Sequence, residues 1–282
     1  MSEKMKNLAV RTASGAVLGI VVLGGIAWSQ WSFGALLVVL LAAGMIEFYA
    51  LAEKRGASSQ RAVGLVAGVV LFALNFALVC DDIEVLGGAR DVFGYGLAFA
   101  LLVLPLMFVC ELFRKQSDPA GAIGTTLAGI FYVALPFSLM CYFPIAATEA
   151  WDPRVMLGYV FVIWANDVFA YLVGMTCGRH RLFERLSPKK SWEGFFGGLV
   201  GAVVVGLAAA HLLGAGYWAW GGLALVAAVT GVLGDLVESM FKRAAGVKDS
   251  GNLIPGHGGV LDRFDAMLLS APFVFVYMLI VM

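Results

Sequence analysis

Nine long apolar stretches follow one another along this chain, separated by short polar segments. They cover approximately 12–28, 33–52, 62–80, 92–112, 122–146, 155–175, 194–213, 217–239 and 266–282. Each comes close to the ~20 residues that an α-helix needs to cross a hydrocarbon core of roughly 30 Å. Because lipid cannot satisfy an exposed backbone, such segments must be helical. The pattern predicts an all-α polytopic integral membrane protein with nine transmembrane helices.

The composition excludes an ordinary soluble domain. Hydrophobic residues make up 61% of the chain and charged residues 13%, and the mean hydropathy is +0.90. Soluble domains usually carry about 25% charged residues. We therefore expect the lipid bilayer to be a partner and nucleic acid not to be one, while a homodimer is left open.

Basic residues are distributed unevenly between alternate connections. If the N-terminus is cytoplasmic, all but two of the 19 lysines and arginines lie on the cytoplasmic side, and the exceptions are Arg90 and Arg154. The positive-inside rule then predicts a cytoplasmic N-terminus and a C-terminus outside. The connections after spans six and eight would face the cytoplasm, where nucleotides and Mg²⁺ are available.

Ionisable residues within and beside the spans are concentrated in the C-terminal half of the chain. Residues 1–150 hold five spans with few charges, apart from Glu47 and Glu111 near their cytoplasmic ends, and are predicted to be a scaffold. Residues 151–282, with four spans and two polar connections, are predicted to be the catalytic region. The polar site is thus expected at the cytoplasmic interface of the C-terminal helices.

Span eight ends with a polar face, because Asp235, Glu238, Ser239 and Lys242 follow at i, i+3, i+4 and i+7. A carboxylate inside a membrane helix costs roughly 2.5 to 3.5 kcal/mol on insertion scales. Glu238 either forms an ion pair with Lys242 or faces a polar cavity. Asp235 has no base at i+4 and is predicted to be functional.

Span nine opens with two neighbouring carboxylates, Asp262 and Asp265. Carboxylates this close repel each other unless a cation lies between them, and Mg²⁺ prefers such oxygen ligands. The alternative is that the two carboxylates are stabilised by the positive end of the helix macrodipole and neutralised by Arg263.

A glycine-rich segment lies between spans eight and nine and reads Pro255-Gly256-His257-Gly258-Gly259. Glycines let backbone N–H groups approach a phosphate without interference from a Cβ atom. His257 either donates to a phosphate oxygen or caps the loop.

Span six and the loop after it form a second polar group. Asn166, Asp167 and Tyr171 interrupt an apolar helix, and the loop carries Lys189 and Lys190. Such basic residues attract a polyanion, or else they set the topology beside anionic lipid. Ser191 is predicted to cap the next helix.

Together these segments resemble the phosphatidate cytidylyltransferases, also called CDP-diacylglycerol synthases. The family pattern S-x-x-K-R-x-x-x-x-K-D-x-x-x-x-x-P-G-H-G-G-x-x-D-R-x-D is matched from Ser239 to Asp265. The segments 166–174 and 186–194 also look like the family's. The resemblance covers about 155–265 at the level of motifs.

The resemblance implies that CTP reacts with phosphatidic acid to give CDP-diacylglycerol and pyrophosphate in phospholipid biosynthesis. By analogy with the family, Asp235, Asp262 and Asp265 would hold Mg²⁺, and a second cation is left open. The catalytic residues would be these three and Lys242. Substrate would be bound by Ser239, Arg243, Lys248, Asp249, His257, Gly258, Gly259, Arg263, Lys189, Lys190, Asn166 and Asp167. A bacterial inner membrane is expected, with the site facing the cytoplasm.

Two other functions are compatible with parts of the pattern. A CTP-dependent polyprenol or phytol kinase would transfer the γ-phosphate and release CDP. An ion-coupled transporter would use Asp167 and Asp235 as intramembrane groups. Against the transporter, the chain lacks a convincing internal repeat, and its carboxylates gather at one interface.

Overall fold

A computed structural model describes residues 3–80, 89–147 and 150–282, with the side chains of 3–10 and 89–93 left undescribed. In these ranges nine helical spans are long and apolar enough to cross a membrane, which confirms the predicted fold class. The helices are α1 (Glu3–Trp28), α2 (Gln30–Lys54), α3 (Arg61–Val79), α4 (Ala89–Arg114), α5 (Pro119–Gly129), α6 (Leu135–Met140), α7 (Pro153–Cys177), α8 (Trp192–Leu213), α9 (Tyr217–Ala244) and α10 (Leu261–Val281). Arg90, one of the two exceptions in the charge pattern, belongs to the undescribed side chains.

The fifth span is the least regular. A π-helical turn, Ile130–Ala134, joins α5 to α6, and a short 3₁₀ turn, Phe143–Ile145, follows. Pro136 stands just after the π turn and has no N–H to donate, so the regular ladder is interrupted there. The single predicted span of 122–146 is therefore one membrane segment, 119–145, built from several helical pieces.

A small β-hairpin follows α7, a feature that the sequence pattern does not predict. Strands β1 (Arg181–Phe183) and β2 (Ser187–Ser191) pair in antiparallel fashion, with Arg181 opposite Ser191. Ser191 then caps α8, because its hydroxyl oxygen accepts the N–H of Gly194 at 3.1 Å. The predicted cap is confirmed.

The chain divides into two compact units, and the division differs from the predicted boundary near residue 150. The first unit contains 1–141 and 244–262, and the second contains 142–243 and 263–282. The functional division into scaffold and catalytic region stays a prediction. By its contacts, however, the segment 244–262, which holds most of the family pattern, belongs with the N-terminal helices.

The core of the first unit is built around α2. Phe33, Leu41 and Met45 are fully buried, and Tyr49 donates its hydroxyl hydrogen to the carbonyl oxygen of Thr126 at 2.9 Å. Thr126 in turn accepts the backbone N–H of Gln60 at 2.8 Å through its hydroxyl oxygen. These bonds join α2, the start of α3 and α5 inside one unit.

In the second unit α7 and α8 pack closely through small residues. A Cβ atom added to Gly194 would lie 2.7 Å from the carbonyl oxygen of Ala170, and one added to Gly198 would lie 2.7 Å from that of Asn166. Small residues are the usual means by which membrane helices approach each other. The seam fixes α7 beside the start of α8, where the hairpin ends.

Candidate active site

Three carboxylates converge between α9 and α10 in the second unit. One oxygen from each of Asp235, Glu238 and Asp265 lies within 4.8 Å of the other two. We call these residues the acidic cluster. Glu238 is only 1% exposed, whereas the other two are half-buried. Like charges at this separation repel strongly and favour the presence of a cation.

Glycine explains how the two helices bring these carboxylates together. A Cβ atom added to Gly234 would lie 2.4 Å from the carbonyl oxygen of Asp265, so the backbones touch at this point. Asp235 follows Gly234 directly, and Glu238 lies one turn further along the same face. The close approach of α9 and α10 therefore creates the acidic cluster.

Two lysines partly neutralise the acidic cluster. The Nζ atom of Lys190 lies 2.6 Å from Oδ2 of Asp235, and Lys242 forms an ion pair with Glu238 one turn away on α9. The predicted pair of Glu238 and Lys242 is thus confirmed. Ser239 donates its hydroxyl hydrogen to Oδ1 of Asp235 at 3.3 Å, as expected for a shared helix face.

A cavity of about 480 Å³ opens beside Asp235 in the second unit. Its charged lining comes from α7, the hairpin and α9, and all of these elements together with α8 add apolar side chains. The lining residues are Asp167, Ala170, Tyr171, Gly174, Met175, Arg181, Leu182, Lys189, Lys190, Ser191, Gly194, Phe195, Val232 and Asp235. Three cations and two carboxylates in one cavity suit a polyanionic ligand that arrives with a metal ion.

The hairpin that carries Lys190 is tied to α8 by Glu193. The carboxylate of Glu193 accepts the backbone N–H groups of Arg179 and His180 at 3.1 and 3.2 Å, and it lies 2.6 Å from Nδ1 of His180. These bonds hold the beginning of the hairpin against the start of α8. Lys190 is thereby kept near Asp235.

Asn166 is buried next to this cavity's α7 wall and is 1% exposed. Its amide atoms form no hydrogen bond of regular geometry to the described residues, although the amide interacts with the neighbouring carboxylate of Asp167. Buried amides are almost always paired, so an unpaired one calls for an explanation such as a bound molecule. Its role in substrate binding stays a prediction.

Asp262 lies in the first unit, where it holds the loop that precedes α10. Its Oδ2 atom accepts the backbone N–H of Ser250 at 2.8 Å, the hydroxyl hydrogen of Ser250 at 2.9 Å and the N–H of Gly259 at 2.8 Å. We call residues 245–260 the signature loop. Asp262 thus shapes this loop, and its role as a metal ligand stays a prediction from its spacing to Asp265 and from the family pattern.

Several backbone N–H groups of the signature loop already have acceptors inside the protein. His257 donates to the carbonyl oxygen of Ile254, and Gly259 donates to Asp262. A phosphate would have to displace these acceptors to reach the two groups. Gly256 and Gly258 adopt φ angles of +75° and +87°, which other residues rarely do, so these two glycines are required by the turn itself.

Helix α1 also contacts the signature loop within the first unit. Ser14 Oγ lies 2.8 Å from Nδ1 of His257, and Nε of Arg11 donates to the carbonyl oxygen of Gly256 at 3.0 Å. The imidazole of His257 is therefore oriented by a helix far away in sequence. The remaining predicted substrate residues, Lys189, Arg243, Lys248, Asp249 and Arg263, are exposed.

Sequence reasoning missed or underrated two buried carboxylates. Glu238 joins the acidic cluster, although its helical pairing with Lys242 was sufficient to explain it. Glu47, placed in the scaffold, accepts hydrogen bonds from the signature loop. The available signal was the energetic cost of a carboxylate in an apolar helix, which makes every such residue a functional candidate.

Comparison with known proteins gives consistent results. Residues 9–281 match the family model of the cytidylyltransferase family. A phosphatidate cytidylyltransferase of Synechocystis sp. is 32% identical over an alignment of 303 residues that covers 95% of each chain. One of Brucella abortus is 31% identical over 275 residues, covering 97% of this chain and 94% of that protein. One of Staphylococcus aureus is 46% identical over 117 residues, covering 40% of this chain and 45% of that protein.

Proposed function

The chain belongs to the cytidylyltransferase family, and from this premise we propose that it transfers CMP from CTP to phosphatidic acid. The products are CDP-diacylglycerol and pyrophosphate. The observation that carries the proposal is the acidic cluster beside a cavity with three cationic side chains. One substrate is a soluble polyanion and the other a lipid phosphate, and both need positive charge at a membrane surface.

The acidic cluster fits Mg²⁺ by its chemistry. Its donors are three carboxylate oxygens, and their separations of up to 4.8 Å lie close to the roughly 4.2 Å that Mg–O bonds of about 2.1 Å allow across the ion. Asp235, Glu238 and Asp265 would hold the ion, and the family pattern adds Asp262. When bound, Mg²⁺ would neutralise the negative charge that develops on the reacting phosphates.

The side chains of the cavity have distinct tasks in this proposal. Lys190 and Lys189 bind phosphate oxygens of CTP, while Ser239 holds the carboxylate of Asp235 in place. Asp167 and Asn166 contact substrate from α7. Lys242 forms an ion pair with Glu238 and binds phosphate when that pair opens.

The family pattern assigns substrate-binding roles to residues of the signature loop and its flanks. Arg243, Lys248 and Arg263 bind phosphates by charge. Asp249, His257, Gly258 and Gly259 position substrate.

The reaction needs no dedicated general base. A phosphate monoester loses its second proton near pH 6, so phosphatidate already carries a nucleophilic oxygen at neutral pH. This oxygen attacks the α-phosphorus of CTP, and the bond from that phosphorus to the bridging oxygen breaks. The electron pair leaves with pyrophosphate, whose charge the lysines stabilise.

The charge pattern and the bacterial relatives support a proposal for the location of the protein. We propose that the protein lies in a bacterial inner membrane, with the acidic cluster at the cytoplasmic face, where CTP is found. The excess of basic residues in the connections after spans six and eight supports this orientation.

One assay tests the proposal against its alternatives. Purified protein in detergent receives labelled CTP and phosphatidic acid, with and without Mg²⁺, and the products are separated. We expect pyrophosphate and CDP-diacylglycerol only when Mg²⁺ is present. Release of CDP with a phosphorylated lipid would indicate a kinase, and substrate flux into liposomes without nucleotide would indicate a transporter.

A further inference from the structure

The signature loop is shaped by a carboxylate from α2, and we propose that this residue, Glu47, is a positioning residue for CMP transfer. The inference rests on the proposed function, because the loop carries much of the family pattern. Glu47 is not among the residues predicted to bind substrate. It acts through the loop, whose backbone it fixes.

Glu47 accepts two hydrogen bonds from the segment that joins the loop to α10 and contacts Ser250 inside the loop. Its Oε1 atom accepts the N–H of Val260 at 2.9 Å, and its Oε2 atom accepts the N–H of Leu261 at 3.0 Å. The hydroxyl oxygen of Ser250 lies 3.0 Å from Oε2, so its single hydrogen is shared between Glu47 and Asp262. Since Glu47 is 8% exposed, water competes poorly for these donors.

Two glycines of the loop make room for this carboxylate. A Cβ atom added to Gly259 would lie 2.3 Å from Oε2 of Glu47, and one added to Gly251 would lie 2.6 Å from Oε1. Gly251 and Gly259 thus allow the carboxylate of Glu47 to come close to the loop backbone. This differs from the expectation that the glycines serve a phosphate.

Glu47 is connected to Asp262 through Ser250. The hydroxyl of Ser250 lies within hydrogen-bond distance of Oε2 of Glu47 and of Oδ2 of Asp262, at 3.0 and 2.9 Å. We call Glu47, Ser250 and Asp262 the loop brace. Through it, a change at Glu47 alters the orientation of Asp262, which the family pattern assigns to the metal.

The position of Glu47 is also suited to the start of α10. The first N–H groups of a helix have no partner inside the helix, and a negative charge is favourable there. Val260 and Leu261 are such groups, and Glu47 satisfies both. A carboxylate is costly in a membrane helix, and these bonds explain its presence in α2.

The test compares Glu47→Gln with Glu111→Gln in purified full-length protein. Glutamine keeps the shape of Glu47, but its NH₂ group faces one of the loop donors and cannot accept from it. Glu111 is a matched control, since it is 4% exposed in the same unit and accepts from Gln60 and Arg114. Steady-state rates with CTP and phosphatidate, and thermal unfolding in detergent, are measured for each.

We expect Glu47→Gln to lower kcat about 10-fold to 100-fold, the range that loss of a hydrogen bond to a charged group produces. The KM for CTP should change less than about threefold, because a positioning residue does not contribute to binding of the ground state. Glu111→Gln should leave kcat within about twofold of the wild-type value while the two variants unfold at similar temperatures.

Several outcomes overturn the proposal. A wild-type kcat in Glu47→Gln would do so, as would an equal loss of kcat in Glu111→Gln. If Glu47→Gln does not fold, Ser250→Ala removes one bond of the loop brace, and an unchanged kcat there would also refute it. An inactive wild-type protein would instead contradict the proposed function.

Discussion

The loop brace and the acidic cluster are both built from carboxylates, yet their partners differ. In the loop brace, Glu47 and Asp262 accept hydrogen bonds from backbone N–H groups and a serine hydroxyl. In the acidic cluster, Asp235 and Glu238 are paired with lysine ammonium groups. Backbone donors are fixed by the fold, whereas a lysine can exchange one anion for another.

This difference indicates which carboxylates are available for chemistry. Removing a brace carboxylate leaves backbone donors unpaired in a buried place, so the loop must change its shape. In the acidic cluster, by contrast, the three carboxylates repel one another, and two lysines offset only part of the negative charge. A cation relieves the repulsion, which is why we assign the metal there.

The largest effect is expected from Asp235→Asn. This change removes one carboxylate from the acidic cluster and the ion pair with Lys190, and we expect CMP transfer to fall by about 100-fold or more. Asp152→Asn is the matched control, since Asp152 caps α7 and pairs with Arg154, and asparagine also caps helices. Comparable rates of CMP transfer for the two variants would show that Asp235 is not part of the active site.

A smaller effect is expected from Lys190→Ala. Loss of an ammonium that binds phosphate should lower kcat/KM for CTP by about tenfold. Arg185→Ala, an exposed basic residue of the same hairpin region, should have little effect. If both variants lost activity equally, the basic residues would act by their overall charge, and the specific contact with Asp235 would be unimportant.

Part of the architecture could be predicted from the sequence because it depends on local order. Hydropathy located the nine spans, and helical spacing placed Asp235, Glu238, Ser239 and Lys242 on one face. The helix cap at Ser191 involves only residues that are close in sequence, Ser191 and Gly194. The family, inferred from the motif between 239 and 265, is confirmed by the comparisons.

The rest depends on contacts between distant parts of the chain. Glu47 and Leu261 are 214 residues apart in sequence, and no local pattern pairs them. The β-hairpin was missed because its short strands are dominated by charge and lack the alternation of apolar and polar residues that marks a strand. The ion pair with Lys242 was sufficient to explain Glu238. Its neighbour Asp265 belongs to another helix, so helical spacing could not place the two carboxylates together.

The smallest effect concerns the packing that creates the acidic cluster. Gly234→Ala would place a methyl group against the carbonyl oxygen of Asp265, which should destabilise the protein by about 1 to 3 kcal/mol and lower activity modestly. Gly24→Ala is the control, because a Cβ atom there would meet nothing within 4 Å. Thermal unfolding in detergent compares them, and equal unfolding temperatures would contradict a tight contact between α9 and α10.

The central claim is that the acidic cluster holds the divalent cation used in CMP transfer. The most direct test is a titration of Mg²⁺ against pyrophosphate release by wild-type protein and by Asp265→Asn. We predict that the wild-type rate depends on Mg²⁺, and that Asp265→Asn is inactive or needs much more Mg²⁺ for a residual rate. Full activity of Asp265→Asn with an unchanged Mg²⁺ requirement would contradict the claim.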